Sequence, residues 1–317
     1  MGRGGRGTDS RGHPYRPGAQ EEQRHWTYGD LYLLADRSLA EAVAALAEGT
    51  EVRLNWPVRR VDYSAALRGA GPVVVTGGPG GAAETLRCRR LIVTVPVSFL
   101  QAGDIAFAPP LPLRKRSALG RIRMSTASKV ILSFRRPFWP DGFFDACCMH
   151  AFLPELWVTT YPATAAKTKA KAEGSAEVEG RAVVVGFVAG ERAVALEALA
   201  DAEVIARALQ QLDAMFGSAT DPAPASAPAS FVTGLVHHWR AEPFIRGAYS
   251  VPGAGVLPGD REALGAPVGD PPVLFFAGEA THAGVNPCMQ AALETGALAA
   301  ARVCFAEKLA QDGGSKL

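Results

Sequence analysis

A glycine and a carboxylate stand together near the end of this 317-residue chain, between a predicted strand and a predicted helix. Val273-Leu-Phe-Phe276 has the apolar run of a buried strand, and Gly278 and Glu279 follow it. A helix is predicted over Pro287–Leu309, with Asn286 as its cap. A carboxylate at a strand end can accept hydrogen bonds from the ribityl hydroxyls of a flavin, and the helix start would direct N–H groups at its pyrimidine ring. The alternative is an ordinary connection with a solvated Glu279.

Two glycine-rich segments have the spacing of a dinucleotide-binding fingerprint, but neither has its context. Gly2-Arg-Gly4-Gly-Arg-Gly7 has no strand before it, so residues 1–25 are predicted to be a disordered leader. Gly78-Pro-Gly80-Gly-Ala-Ala83 does follow a predicted strand. The next strand, however, begins at Leu86 and leaves no room for the crossover helix of a phosphate-binding unit. A hairpin turn is predicted at Gly78.

Composition excludes several classes of protein. The chain is 48% apolar and 20% charged, which is ordinary for a globular protein, and its net charge of +2 gives no reason to expect a nucleic acid partner. Five cysteines without a C-x-x-C pair predict neither a disulfide framework nor a zinc site, and favour a reducing compartment. No apolar stretch approaches the roughly 20 residues of a membrane span. A soluble, intracellular protein is therefore expected, with cytoplasm, peroxisome and nucleus undistinguished.

Periodicity and turn signals divide the rest of the chain into elements. Ser38-Leu-Ala-Glu41 is a capping box that predicts a helix ending at Gly49. The other predicted elements are strands over Glu51–Leu54, Arg59–Tyr63, Pro72–Thr76, Leu86–Val95, Lys129–Phe134, Leu156–Tyr161 and Ala182–Ala189, and a helix over Asp201–Phe216. Residues 163–180 are predicted to form a flexible insertion and residues 220–230 a linker.

Several motifs in the chain match those of one enzyme family. Phe275-Phe-Ala-Gly-Glu-Ala-Thr281, followed by Gln290-Ala-Ala-Leu-Glu-Thr-Gly296, resembles the C-terminal FAD-binding signature of the flavin-containing amine oxidases. This family includes polyamine oxidases, monoamine oxidases and lysine-specific histone demethylases. Further segments resemble it in the family order, from about Leu39 to Cys304: Leu54–Val61, Val93–Leu100, Leu119–Trp139, Gly186–Gly190 and Trp239–Ser250.

The resemblance implies an α/β (α+β) fold in which two domains are interleaved. A doubly wound FAD-binding domain would take residues 26–104 and 249–305, and a substrate domain of mixed β-sheet flanked by helices would take residues 105–248. Residues 306–317 would be a tail. The family's N-terminal βαβ unit, with its glycine loop, has no counterpart before Leu39. We therefore expect the 317-residue chain alone to retain little FAD, and a complementary N-terminal polypeptide as a partner.

The resemblance also implies roles for individual residues. Lys129 is expected to hold a water against flavin N5 as the catalytic residue, and Tyr249 and Cys288 to contact the substrate. The residues expected to bind the cofactor FAD are Val58, Pro96, Trp239, Gly278, Glu279, Cys288 and Met289, with Val58, Cys288 and Met289 acting through their backbones. Each has a structural alternative. Val58, Trp239 and Tyr249 would also serve as core residues, and Lys129 as a strand lysine whose head reaches solvent.

The activity that the resemblance implies is FAD-dependent oxidation of an amine C–N bond, with O₂ as oxidant and H₂O₂ as product. The substrate would be a small amine, a polyamine or a methylated lysine in a peptide. The family usually has aromatic, Thr or Ser side chains where this chain has Val285 to Cys288, which leaves amine specificity open. Two alternatives remain: a non-catalytic module unable to hold FAD alone, and a related flavin desaturase or porphyrinogen-type oxidase.

Overall fold

The structure is a computed structural model that describes residues 39–161, 181–217, 227–284 and 287–314. Outside these ranges lie the predicted leader with its glycine segment, the Ser38 cap, the insertion at 163–180, residues 220–226 of the linker, and Val285 and Asn286. The chain divides into two compact units, residues 1–53 and residues 54–317. The domain boundaries derived from the sequence stay predictions.

In the first unit the predicted helix is confirmed as α1 (Leu39–Ala47). Gly49 follows it with a φ of +75°, a conformation that suits glycine at a helix end. The strand predicted over Glu51–Leu54 is wrong, because no described strand pairs with these residues and the first strand begins at Arg60. A strand without a partner leaves its backbone groups to water, so the apolar pattern alone does not produce one.

The second unit contains all the described strands, arranged in four sheets. The strands are β1 (Arg60–Asp62), β2 (Val73–Gly77), β3 (Glu84–Cys88), β4 (Leu91–Val93), β5 (Ala106–Ala108), β6 (Ile122–Met124), β7 (Ala127–Phe134), β8 (Asp145–Cys147), β9 (Glu155–Tyr161), β10 (Arg181–Ala189), β11 (Phe231–His238), β12 (Ser250–Pro252), β13 (Val268–Gly269) and β14 (Pro272–Phe276). The sheets have the orders β3-β2-β1-β5, β11-β7-β10-β9-β8, β12-β6 and β13-β14-β4. Parallel pairing joins β1 to β5 and β4 to β14.

The second unit also contains the following described α-helices. They are α2 (Ser64–Leu67), α3 (Val97–Ala102), α4 (Leu113–Arg121), α5 (Glu191–Glu197), α6 (Asp201–Phe216), α7 (Ala227–Ser230), α8 (Asp260–Gly265) and α9 (Met289–Gly314). The mixed α/β class is confirmed. The linker predicted over residues 220–230 is wrong at its end, where residues 227–230 form helix α7 and bury Ala227 and Ser230. No helix among the described residues is long and apolar enough to cross a bilayer.

The hairpin predicted at Gly78 is confirmed. Strands β2 and β3 pair antiparallel from Val73↔Cys88 to Gly77↔Glu84. Gly78 has a φ of +128°, and a Cβ there would lie 2.3 Å from the carbonyl oxygen of Ala82. The glycine therefore serves a tight turn.

The two largest of four described apolar clusters form the main cores of the second unit. One lies between the early and late parts of the chain, where Val61 and Val73 pack with Val273 and Leu274. The other lies under the five-stranded sheet and is closed by α6, whose buried residues are Val204, Ala208 and Leu212. The strand predicted over Leu86–Val95 is interrupted after Cys88, and Arg89 and Arg90 both pair with Glu307 of α9 at 3.0 Å.

Charged side chains fix the short helix α8 in place. Arg121 donates two hydrogen bonds to Asp260, at 2.8 and 2.5 Å, and these hold the pKa of that carboxyl at about 2. At the other end of α8 the buried Lys115 ammonium donates to three carbonyls: Ala263 at 3.1 Å, Ala266 at 2.7 Å, and Leu264. Its Nζ also lies 3.9 Å from the centroid of the Phe276 ring. Lys115 thus ties α4 to α8 and to the end of β14.

Replacing Lys115 with methionine should lower the free energy of unfolding by about 2–4 kcal/mol, because three carbonyls lose a buried donor. Burial lowers the pKa of Lys115 to about 7, against 10.5 for the free side chain. Between pH values of about 7 and 10.5 the Lys115 side chain is protonated in the unfolded chain and mostly neutral in the folded protein. Lys115 therefore makes the free energy of unfolding rise with pH over this range. Denaturant unfolding at several pH values should show that Lys115→Met lacks this part of the rise, whereas Lys308→Met, at an exposed position, keeps it. Equal slopes in all three proteins would contradict the assignment.

Candidate functional site

The turn after β14 is held from two sides. The N–H of Ala277 donates to the carbonyl of Val93 at 3.1 Å, and the N–H of Gly278 donates to Thr295 Oγ1 at 3.0 Å. Gly278 has a φ of +130°, and a Cβ added there would meet open space. The strand end is therefore fixed against β4 and α9, with room beside the glycine.

Glu279 is partly buried, and both of its carboxylate oxygens are engaged. The backbone N–H of Ser250 donates to Oε1 at 3.0 Å, and the Ser250 hydroxyl donates to Oε2 at 2.6 Å. Ser250 is fully buried at the start of β12. The alternative of a solvated Glu279 is therefore wrong in this structure. Each carboxylate oxygen keeps a further lone pair for another donor.

Lys129 lies on the face of the five-stranded sheet opposite the core. Its neighbours along the strand, Val130 and Leu132, point into the core and are fully buried, so the alternation of β7 directs Lys129 the other way. Its register partners are Phe187 on β10 and His237 on β11. The Lys129 Nζ lies 5.5 Å from the centroid of the Trp157 ring. Within the described part of the chain, no carboxylate pairs with this ammonium group.

Trp239 and Tyr249 lie near the same end of that sheet. The Trp239 ring meets the His237 ring edge to face, with centroids 4.5 Å apart. The carbonyl of Trp239 accepts from the N–H of Gly247 at 3.3 Å, which brings the chain back toward Tyr249. The carbonyl of Tyr249 accepts from the N–H of Ser125 at 2.8 Å, in the connection between β6 and β7. Both aromatic side chains are partly buried.

The structure therefore places five of the predicted residues in two groups. Lys129 is linked to Trp239 through the ring of His237, and Tyr249 is linked to Glu279 because the next residue along, Ser250, binds that carboxylate. Gly278 belongs to the same turn as Glu279. The segment from Trp239 to Ser250 thus connects the sheet face that carries Lys129 to the strand-end carboxylate.

The remaining predicted residues lie at other points of the second unit. Val58 precedes β1 and packs against the core that contains Val61. Pro96 follows β4 and accepts a hydrogen bond from the N–H of Phe99 at the start of α3. Cys288 is partly buried and its carbonyl accepts from the N–H of Ala292 at 3.4 Å. Their proposed contacts with a cofactor stay predictions.

Helix α9 differs from its predicted bounds. It begins at Met289, so Pro287 precedes the helix and does not occupy its first position, and it extends to Gly314. The side chain of Met289 is exposed. Its backbone is nonetheless at the first helical position, where N–H groups lack partners within the helix.

Three residues that contact the predicted site were not identified from the sequence. Trp157 and Phe187 share the sheet face of Lys129, and only the register of β9 and β10 reveals that. Arg261 is 9% exposed and donates to Ser250. The alternation of predicted strands could have indicated the two aromatic residues, because each lies within a predicted strand, where successive side chains point to opposite faces. No such signal was available for Arg261, which sits among charged residues typical of a solvated helix.

The comparisons with known proteins show to which family the chain belongs. The sequence profile of the family described as "Flavin containing amine oxidoreductase" matches residues 20–304. The chain belongs to this family. The description of the family names a flavin, so membership implies a flavin cofactor.

Two curated members of the family show how far the similarity extends. The peroxisomal N(1)-acetyl-spermine/spermidine oxidase of Homo sapiens is 31% identical over 262 residues, covering 76% of this chain and 48% of that protein. The lysine-specific histone demethylase 1 homolog 3 of Arabidopsis thaliana is 28% identical over 300 residues, covering 90% of this chain and 16% of that protein. The chain spans about half the length of the first relative and a smaller part of the second.

Solved structures support the same fold. Putrescine oxidase bound to putrescine aligns with a TM-score of 0.64 at 22% identity, covering 84% of this chain and 52% of that one. Cyclohexylamine oxidase from Brevibacterium oxydans IH-35A aligns with a TM-score of 0.59 at 21% identity, covering 86% and 52%. At this level of identity the match establishes the fold.

The residues at the site fit a flavin. The space beside Gly278 would admit a ligand close to the backbone, and the Glu279 carboxylate retains acceptor capacity for hydroxyl groups. The Lys129 ammonium group, set among aromatic rings, supplies a positive charge that is open to a bound water or ligand.

Replacing Gly278 with alanine should lower the free energy of unfolding by about 1–3 kcal/mol, because its φ of +130° strains any L-residue. A clash is not the cause, since a Cβ there meets open space. The matched control is Gly296→Ala in α9, where φ is ordinary and the space is also open; it should leave stability unchanged or raise it by about 0.5–1 kcal/mol. Equal losses in the two variants, measured by denaturant unfolding, would contradict the assignment.

Proposed function

We propose that this chain forms the amine-binding face and the ribityl-binding turn of an FAD-dependent amine oxidase. The observation that carries the proposal is the continuity of Tyr249, Ser250 and Glu279. One hydrogen-bonded segment connects an aromatic side chain beside the Lys129 sheet to the carboxylate after β14. The family membership and the names of the relatives support the reaction type.

FAD would be held at its ribityl chain by Glu279 and at its ring by the start of α9, where Cys288 and Met289 offer backbone groups. Val58, Pro96 and Trp239 are the further contacts that the resemblance assigns. A bound FAD would supply the oxidising power for removal of a hydride from the α-carbon of the amine, with O₂ as the final acceptor that becomes H₂O₂. The protein's own part is to bind the amine in neutral form, orient it and exclude water.

Lys129 is proposed to position a water molecule by hydrogen bonding. Its surroundings support this, since aromatic rings lie on the same sheet face and no described carboxylate pairs with the charge. Water then hydrolyses the imine product to a carbonyl compound and an amine. The atoms balance as amine, O₂ and water giving carbonyl product, released amine and H₂O₂.

The substrate class is proposed to be a polyamine or a methylated lysine. Names among the relatives include both an acetylated polyamine oxidase and a histone demethylase. A direct test is to supply excess FAD and measure peroxide release with spermine, N1-acetylspermine, a dimethyl-lysine peptide and cyclohexylamine. Peroxide with one of the first three supports the proposal. Flavin binding without peroxide from any amine would favour a non-catalytic module or a flavin desaturase.

Replacing Lys129 with methionine should slow flavin reduction by amine, or reoxidation by O₂, by about 10- to 1000-fold, because a positioned polar group is lost from the reaction. Flavin affinity should not change, since Lys129 is not among the groups proposed to hold the cofactor. Stopped-flow absorbance at the flavin band measures both half-reactions. Lys308→Met makes the same chemical change on an exposed part of α9 and is the control. Unchanged traces for Lys129→Met would remove this residue from the site.

Replacing Tyr249 with alanine should raise the apparent KM for the amine by about 2- to 30-fold, the equivalent of one aromatic contact worth about 0.5–2 kcal/mol. Tyr249→Phe keeps the ring and should retain most of the affinity. Steady-state peroxide assays give KM, and thermal unfolding gives the effect on stability. A collapse of the thermal midpoint in Tyr249→Ala, with KM unchanged in folded protein, would make Tyr249 a core residue.

A further inference from the structure

Helix α8 buries two adjacent charged residues that have different partners. Asp260 is engaged by Arg121 of α4, as described above. Arg261 is 9% exposed and makes no direct contact with that carboxylate or with another described one. A buried guanidinium group is costly unless a negative charge lies near it, so its surroundings need a physical explanation.

Arg261 donates all its described hydrogen bonds to one small region. Nη1 donates to the Ser250 hydroxyl oxygen at 2.8 Å and to the carbonyl of Ala280 at 3.1 Å. Nη2 points to the carbonyl of Ser250 at 3.4 Å. The guanidinium group therefore spans the first residue of β12 and the turn that contains Glu279.

These contacts determine which way the Ser250 hydroxyl points. The hydroxyl has a single proton, and because its oxygen accepts from Arg261, that proton is available for Glu279 Oε2, 2.6 Å away. The chain of donors runs in one direction, from guanidinium to hydroxyl to carboxylate. A hydrogen bond that ends on an ionised group is stronger than a neutral one, and each link polarises the next.

The charge of Arg261 is also matched to Glu279. Burial lowers the pKa of the Arg261 guanidinium group, and the negative charge of Glu279 opposes that shift. The neighbouring Asp260 is already paired with Arg121, so Glu279 is the carboxylate left to balance Arg261. The two charges are therefore connected through one shared hydroxyl group, with the guanidinium group buried and the carboxylate partly buried.

We propose that Arg261 is a positioning residue which, through the Ser250 hydroxyl, fixes the Glu279 carboxylate in one orientation for the ribityl hydroxyls of the flavin. This inference rests on the proposed function. The bonds to the two carbonyls would serve packing alone, whereas the link through Ser250 Oγ gives Glu279 a fixed direction and a balancing charge. Arg261 would therefore affect recognition of the ribityl chain and leave recognition of the isoalloxazine ring unchanged.

Two flavins that differ only in the ribityl chain test this directly. Riboflavin carries the ribityl hydroxyls, and lumiflavin has the same ring with a methyl group in their place. Quenching of flavin fluorescence gives a Kd for each with wild type, Arg261→Met, Arg261→Lys, Glu279→Gln and the double variant Arg261→Met/Glu279→Gln. Arg121→Met is the matched control, because it removes the other arginine contact of α8 without touching Ser250.

We expect Arg261→Met to raise the Kd for riboflavin about tenfold and the Kd for lumiflavin less than about twofold. The Kd of Arg261→Lys for riboflavin should lie between those of wild type and Arg261→Met, since an ammonium group keeps the charge but cannot span both Ser250 and Ala280. In the Glu279→Gln background the loss of Arg261 should have little further effect on riboflavin, because its action passes through the carboxylate. Arg121→Met should lower the thermal midpoint and leave the ratio of the two Kd values unchanged.

Equal weakening of riboflavin and lumiflavin by Arg261→Met would overturn the proposal, and so would losses that multiply in the double variant. Low retention of flavin is expected of this chain, but failure of the wild type to bind riboflavin, lumiflavin or FAD at saturating concentrations would contradict the proposed function instead. In that case the thermal midpoints of the ligand-free proteins test whether Arg261 acts through Glu279. If the falls in midpoint of the two single variants add up in the double variant, Arg261 acts independently of Glu279. If the double variant loses less than this sum, the result supports the connection through Ser250. If Arg261→Met fails to fold, Ser250→Ala breaks the same link and should give the same riboflavin-selective loss.

Discussion

The hydrogen bonds between Ser250 and Glu279 join the two parts of the proposed site. Ser250 begins β12, next to Tyr249, and Glu279 follows the strand whose end is fixed by Val93 and Thr295. Residues 29 positions apart are thereby held within 3.0 Å. Because Ser250 is fully buried, water cannot replace this contact at low cost. The position of the aromatic face relative to the strand-end carboxylate therefore depends on one serine.

The sheet that carries Lys129 meets a different constraint. Its core face must be continuous and apolar, and Val130, Leu132 and Phe134 provide that. The period of two along a strand then leaves Lys129 on the opposite face, where its neighbours are aromatic. The same alternation of side chains therefore builds the apolar core and places Lys129 on the face proposed to bind the substrate. Helix α8 closes the arrangement: Lys115 and Arg121 both hold it to α4, and Arg261 holds it to the start of β12.

Local patterns in the sequence predicted those elements whose stability is local. Helix α6 was predicted with its observed bounds, Asp201–Phe216, because its apolar face recurs at helical spacing. The hairpin at Gly78 followed from the short spacing between strands. Glu51–Leu54 has strand-like residues but no described partner strand. Helix α9 begins at Met289, two residues after the proline that was predicted to open it. The family motifs identified Lys129, Tyr249 and Glu279, whereas Arg261 is recognisable only once long-range contacts show that it is buried. The cofactor contacts themselves remain predictions.

A crystal structure of the protein saturated with FAD would test the central claim most directly. We expect a ribityl hydroxyl within hydrogen-bond distance of Glu279, about 2.6–3.2 Å, with the carboxylate still bound to Ser250. The isoalloxazine ring should lie between the Lys129 face and the turn after β14, with Tyr249 beside it. Flavin density elsewhere on the chain, with Glu279 contacting only Ser250, would contradict the proposed site.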